Sequence, residues 1–201
     1  NDGRTPARPL RSLAAAVASA EPGETVYVMP DIYSEDVAIS AQAETSEPTR
    51  ILTYGRGKAV IEGHVAFRNA RNVVFDGFNV LGGISAEGSQ GVTLNENVVE
   101  SQGAAVSIRR SGDVLVENQT LSQSPAGIRL DNPSGRITGR NTLFYGVRQP
   151  LDAPAAARRA VLSERNGFGG AFAGEGLAAW RGMFAEGHPS MAAETELDEE
   201  H

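Results

Sequence analysis

Val106-Ser107-Ile108-Arg109 is the stretch of sequence that decides the fold, because its pattern returns along the chain at a nearly constant step. The pattern recurs 22 residues later and 22 residues earlier, and once more a further 19 residues upstream. A repeat of about 20–25 residues is typical of solenoid proteins, in which each repeat forms one coil. The other three copies are Ile128-Arg129-Leu130-Asp131, Ile84-Ser85-Ala86-Glu87 and Val65-Ala66-Phe67-Arg68.

Two more patterns keep the same steps. One is an alternating segment, and the other is a single apolar marker residue. Each copy alternates apolar and polar residues, which is the period of a strand with one buried face, and none carries a helical stripe. The sequence therefore predicts an all-β parallel β-helix with three short strands per coil, regular from about residue 65 to 147. The segments are Val73-Val74-Phe75-Asp76, Val92-Thr93-Leu94-Asn95 and Val114-Leu115-Val116-Glu117, and the markers are Val80, Val99, Leu121 and Leu143.

Composition excludes several classes of protein. The formal charge is −7, of which the tail after Ala193 supplies −5, so a nucleic-acid partner, which requires a basic face, is not expected. Without cysteine the chain has neither disulfides nor thiolate chemistry. No apolar run approaches the roughly 20 residues that a membrane span requires.

The two ends of the chain differ from the repeats. Pro9–Ala20 is predicted to form a helix with Ser12 as N-cap, which would cover the open end of the solenoid; its small apolar residues also fit the end of a signal peptide. We expect residues 1–150 to form the β-helix domain with this cap. Residues 151–201 are expected to be helical or irregular: a helix over 152–165, helical turns around Trp180, and an acidic disordered tail.

The N-terminal segment resembles the corresponding part of secreted right-handed parallel β-helix proteins of the pectate-lyase-like superfamily, a broad group that includes alginate, chondroitin and pectate lyases. Asp31 stands where that group usually has glycine. The resemblance covers about residues 9–147 and implies the right-handed fold and a polysaccharide-directed, secreted or cell-surface (extracellular or periplasmic) protein. It rests on Pro9-Leu10-Arg11-Ser12-Leu13-Ala14-Ala15-Ala16, Pro22-Gly23-Glu24-Thr25-Val26-Tyr27-Val28 and Ile32-Tyr33-Ser34-Glu35.

The repeat also predicts which outward side chains become neighbours. Since adjacent strands lie about 4.8 Å apart, one column alternates in charge at nearly contact distance. This column is either a ladder of ion pairs that stabilises the sheet, or part of a groove for an acidic polysaccharide. In the second case the arginines would bind carboxylates or sulfates, whereas Glu87 and Asp131 would take sugar hydroxyls or calcium, the one cofactor considered. The predicted binding residues are Arg68, Glu87, Arg109, Arg129 and Asp131.

Catalytic residues are not identified by the sequence. Cleavage by β-elimination needs a cation that neutralises the uronate carboxylate and a base near the adjacent proton. Lys58, the only lysine, precedes the regular coils, and neither His64 nor His188 has a companion at metal-ligand or triad spacing. Two hypotheses therefore stay open: a protein that binds or cleaves an acidic polysaccharide, and a non-catalytic glycan-binding or spacer β-helix.

Overall fold

The computed structural model describes residues 2–43, 47–184, 191–192 and 195–196, and it is a parallel β-helix of about six turns. A short helix, α1 (Leu13–Ser19), precedes the first strand. The first three coils consist of β1 (Thr25–Val28), β2 (Ile32–Tyr33) and β3 (Val37–Ile39); β4 (Thr49–Thr53), β5 (Val60–Ile61) and β6 (Val65–Arg68); and β7 (Arg71–Asp76), β8 (Asn79–Val80) and β9 (Ile84–Glu87).

Three further coils repeat this order, and the chain then begins another turn that leads into a helix. The coils are β10 (Gln90–Asn95), β11 (Val98–Glu100) and β12 (Ala104–Arg109); β13 (Val114–Glu117), β14 (Thr120–Ser122) and β15 (Ala126–Asp131); and β16 (Ile137–Arg140), β17 (Leu143–Tyr145) and β18 (Gln149–Asp152). The remaining elements are α2 (Ala155–Arg158), β19 (Val161–Glu164), β20 (Gly167–Gly169), α3 (Ala173–Phe184), β21 (Met191–Ala192) and β22 (Thr195–Glu196).

Strands at equivalent positions pair in parallel to form three sheets. Sheet 1 runs β1-β4-β7-β10-β13-β16-β19-β21, sheet 2 runs β2-β5-β8-β11-β14-β17-β20-β22, and sheet 3 runs β3-β6-β9-β12-β15-β18. The inward apolar residues of all three sheets form one continuous core. Burial of that core is the main favourable contribution to folding, and it fixes which residues face inward.

The predicted register is confirmed on sheet 3. Val106 lies opposite both Ile84 and Ile128, and Arg109 lies opposite both Glu87 and Asp131. The second segment is confirmed by the pairing of β10 with β7 and β13. The constant step between coils therefore translated directly into spatial neighbours.

The last apolar marker was wrong by one residue. Leu121 pairs with Phe144, not with Leu143, and Phe144 is buried. The turn between β15 and β16 has five residues, whereas the turn between β12 and β13 has four. The step is therefore 23 residues here, and the pleat alternation places the neighbouring residue in the core.

The helix expected over residues 152–165 was wrong for most of its length. Only Ala155–Arg158 is helical, and Val161–Glu164 forms β19, which pairs with β16 and buries Val161 and Ser163. The exposed edge of β16 offers unpaired backbone groups, and pairing with them outweighs the weak helix preference of an alanine-rich segment. The solenoid thus continues beyond residue 150.

Helices lie at both ends of the solenoid. Ser12 caps α1 as predicted, because its hydroxyl accepts a hydrogen bond from the backbone N–H of Ala15 at 3.1 Å. Near the other end, the fully buried Trp180 of α3 packs against Phe144 and Phe168. Of the acidic tail, only residues 195–196 are described, and the predicted disorder otherwise concerns residues outside the described part of the chain.

Candidate functional site on the outer face of sheet 3

The outer face of sheet 3 is open in the described part of the chain. The helices pack elsewhere: α1 lies against β1 and β3, and α3 lies against β17, β18, β20 and β22. None of these helices is long and apolar enough to cross a bilayer. A polymer could therefore lie across β6, β9, β12 and β15 without displacing another element.

Outward residues on sheet 3 form two parallel rows. The charged row is Arg68, Glu87, Arg109 and Asp131, and the small-residue row is Ala66, Ser85, Ser107 and Arg129. Side chains alternate faces along each strand, so the two rows are separated by one inward residue on every strand. This places all five predicted binding residues on one face.

The charged row is a connected set of ion pairs. Arg109 Nε lies 3.1 Å from Asp131 Oδ2, and its Nη1 lies 3.7 Å from Glu87 Oε1. Arg110 Nη2 also contacts Glu87 Oε1. The side chains of Arg109 and Asp131 are more than half exposed, so each pair contributes about 0.2–1 kcal/mol.

Arg129 and Arg68 differ from Arg109. Arg129 donates from Nε to Asp152 Oδ2 at 2.6 Å, one coil further along the small-residue row. Arg68, at the other end of the charged row, is exposed and makes no ion pair with any described residue. This face therefore carries four arginines against three carboxylates, and the guanidinium of Arg68 is free to bind an anion.

Calcium does not fit this arrangement. Glu87 and Asp131 lie two coils apart with Arg109 between them, and both carboxylates are already paired with arginine. In the described residues, no group of three or more acidic, histidine or cysteine side chains converges. Since calcium takes six to eight oxygen ligands, these residues do not form a site for it.

A histidine–serine pair lies beside the small-residue row, and the sequence prediction missed it. His64 Nε2 lies 2.7 Å from Ser85 Oγ, and His64 Nδ1 lies 2.9 Å from the carbonyl oxygen of Gly82. The prediction that His64 lacks a companion was therefore wrong, because the one-coil step brings residue 85 beside residue 64. His188 lies outside the described residues.

Tight packing of the backbone holds this pair in place. A Cβ added at Gly82 would lie 2.4 Å from the carbonyl oxygen of Gly63, so only glycine allows the two turns to approach so closely. The backbone N–H of His64 donates to Asp36 Oδ1 at 2.7 Å. The start of β6 and the orientation of the imidazole are thus both fixed.

Other candidate residues lie away from sheet 3. Lys58 donates from Nζ to the carbonyl oxygen of Glu96 at 3.0 Å, near the turn between sheets 1 and 2. Asn118 and Asn141 adopt left-handed backbone conformations and bond from coil to coil, which is a structural role. A cavity of about 740 Å³ lies beside α1 and β1, and no residue of either row lines it.

Comparisons with known proteins support the description of the fold. No protein-family model matches the chain, and no curated protein matches it either. The crystal structure of an alginate lyase from Paenibacillus sp. str. FPU-7 is similar, with a TM-score of 0.56 and 14% identity over 78% of this chain and 72% of that one. A mannuronic acid specific polysaccharide family 6 lyase from human gut microbiota gives a TM-score of 0.47 and 11% identity over 78% and 50% of the two chains. The chain therefore has a parallel β-helix fold of the polysaccharide-lyase-like type.

Proposed function

We propose that this protein binds an acidic polysaccharide along the outer face of sheet 3. The observation that carries the proposal is the open row of arginines in which Arg68 has no acidic partner among the described residues. The local excess of positive charge contrasts with the net charge of −7 for the whole chain. A polyanion is attracted to such a row, and forked guanidinium donors bind carboxylates in a defined orientation.

Coil spacing suits a repeating ligand. Arg68 and Arg109 stand two coils apart in one row, which corresponds to about 9.6 Å. Successive acidic groups of an extended polymer can contact both without bending the sheet. Because such polymers occur outside the cytoplasm, the proposal includes a secreted or cell-surface location.

The test is binding to alginate, pectate and chondroitin by isothermal titration calorimetry. Arg68→Ala and Arg109→Ala each remove a charged hydrogen bond of about 1.5 kcal/mol, so each should weaken binding about tenfold. Arg140→Ala is the matched control, since Arg140 pairs with Glu117 at 2.6 Å on the outer face of sheet 1. Equal weakening by all three variants would contradict a site on sheet 3.

Cleavage by β-elimination is a second candidate function, favoured by the unpaired cation Arg68 and by a fold shared with an alginate lyase. Arg68 would neutralise the uronate carboxylate and so acidify the adjacent C–H. Incubation with the same polymers, followed by absorbance of the unsaturated product, tests this activity. If binding is measured but no product forms, the non-catalytic glycan-binding hypothesis is favoured, and if no polymer binds, the spacer hypothesis is favoured.

A further inference from the structure

The geometry points to a second activity: we propose that Ser85 and His64 form a nucleophile–base pair that hydrolyses small ester groups, such as an O-acetyl group on a sugar. Neither the charged row nor the β-elimination chemistry uses these two residues. The assignment of the pair stands independently of polysaccharide binding. Only the location of the ester on an acidic polysaccharide rests on the proposed function.

The hydrogen bonds of His64 define which nitrogen is basic. The carbonyl oxygen of Gly82 can only accept, so Nδ1 of the neutral imidazole carries the hydrogen and donates it. Nε2 then keeps its lone pair and lies 2.7 Å from Ser85 Oγ, which is within reach for accepting the hydroxyl proton. A base whose other nitrogen is oriented by a third group is the arrangement that activates a serine.

The surroundings of Ser85 leave room for a substrate carbonyl. Ser85 and Ser107 are both partly exposed on the outer face, and Ala66 is the small neighbour on the other side. The Ser107 hydroxyl makes no hydrogen bond to any described residue and lies one strand from Ser85, about 4.8 Å away along the sheet. It can donate to the oxygen that becomes negative when a nucleophile attacks the carbonyl carbon.

The reaction follows from these positions. Ser85 Oγ forms a bond to the ester carbonyl carbon while its proton passes to His64 Nε2. The tetrahedral oxyanion accepts a hydrogen bond from Ser107, and on its collapse the bond to the sugar oxygen breaks as that oxygen takes the proton from Nε2. Water then attacks the acyl-Ser85, gives its proton to Nε2, and releases the carboxylic acid as Ser85 recovers its hydrogen. The acyl group must be small, because the site is a shallow open surface rather than a deep pocket.

Proton transfer in β-elimination is the alternative use of His64, and the contacts favour ester hydrolysis. The only basic lone pair of the neutral ring is directed at the Ser85 hydroxyl, so a substrate C–H would first have to displace that serine. Arg68 is four residues from His64 along the same strand, or about 13 Å, which is far for one uronate to contact both.

The test is covalent labelling of the folded full-length protein with a fluorophosphonate, followed by mass spectrometry, together with hydrolysis of 4-nitrophenyl acetate. The wild-type protein should be labelled on Ser85. Ser85→Ala should abolish both label and turnover, His64→Gln should lower the rates of labelling and turnover about 100-fold or more, and Ser107→Ala should lower turnover about 100-fold. Ser34→Ala, which removes an exposed serine hydroxyl bonded to Glu62, is the control and should change neither.

Three results would overturn the proposal: no label on wild-type Ser85, a label on another residue, or loss of polysaccharide β-elimination in His64→Gln without any esterase activity in the wild type. Because labelling is read on the wild-type protein, a variant that fails to fold does not affect this result. Polysaccharide binding by Ser85→Ala should equal that of the wild type. A failure of ester hydrolysis is thereby distinguished from a failure of the proposed function.

Discussion

Glu35 should be one of the most important acidic residues for stability, because it holds α1 on the solenoid. Its carboxylate accepts from the backbone N–H of Leu13 at 2.6 Å, from that of Ala14 at 3.4 Å and from the Ser12 hydroxyl at 2.7 Å. With the bond from Ala15 to Ser12, the first three N–H groups of α1 all have acceptors. The helix has no acidic residue in its own first turn, so Glu35 supplies the negative charge that the dipole favours there.

The magnitude follows from these contacts. Loss of a capping side chain costs about 0.5–2 kcal/mol, and a charge-assisted bond to a second backbone N–H adds about 1 kcal/mol at a partly buried position. We expect Glu35→Ala to lower the free energy of unfolding by about 2–3 kcal/mol. Glu35→Gln keeps one oxygen acceptor but directs an NH₂ group at the other donors, so it should cost about 1–2 kcal/mol.

Urea denaturation, followed by circular dichroism, measures the global effect, and amide hydrogen exchange at Leu13 and Ala14 measures opening of α1. A seven-residue helix is not stable alone, so its protection depends on docking of Leu13 and Val17 onto the first coil. Glu62→Ala is the control, since Glu62 accepts from the Ser34 hydroxyl at an exposed position without capping a helix. The reasoning is refuted if Glu35→Ala costs no more than Glu62→Ala and leaves exchange of the Leu13 amide unchanged.

Three other predictions concern stability. Phe144→Ala should cost about 3–5 kcal/mol, whereas the partly exposed Leu143→Ala should cost about 1 kcal/mol; equal urea midpoints would contradict the register of β17 with β14. Asn118 has a φ of 53°, so Asn118→Val should be less stable than Asn118→Gly by at least 1 kcal/mol, and the reverse order in thermal melts would exclude backbone strain as the cause. Burial, with the charges of Asp31 and Glu35, raises the pKa of Tyr33; unfolding free energy should therefore fall as pH rises above about 10, the ordinary value, toward the raised one, and Tyr33→Phe should remove this loss.

Much of the site's layout was predictable, because a solenoid converts sequence distance into spatial distance. Once Val106 was matched to Ile84 and Ile128, the neighbours of Arg109 were determined, and the ion pairs with Glu87 and Asp131 followed. The partner of Arg129 was not predicted. Asp152 lies in a coil whose turn is one residue longer than the repeat, and the alanine-rich residues after it favoured a helical assignment.

The sequence by itself determined the fold and which face of each strand in the regular coils is buried, since pleat alternation and coil length are both readable as periodicities. Only the tertiary structure decided what lies at the turns. Turn lengths vary, and glycines such as Gly63 and Gly82 allow approaches that no period describes. The contact of His64 with Ser85, and of Glu35 with the start of α1, depends on such turns. Their side chains meet because the core fixes where each coil begins, not because a motif places them together.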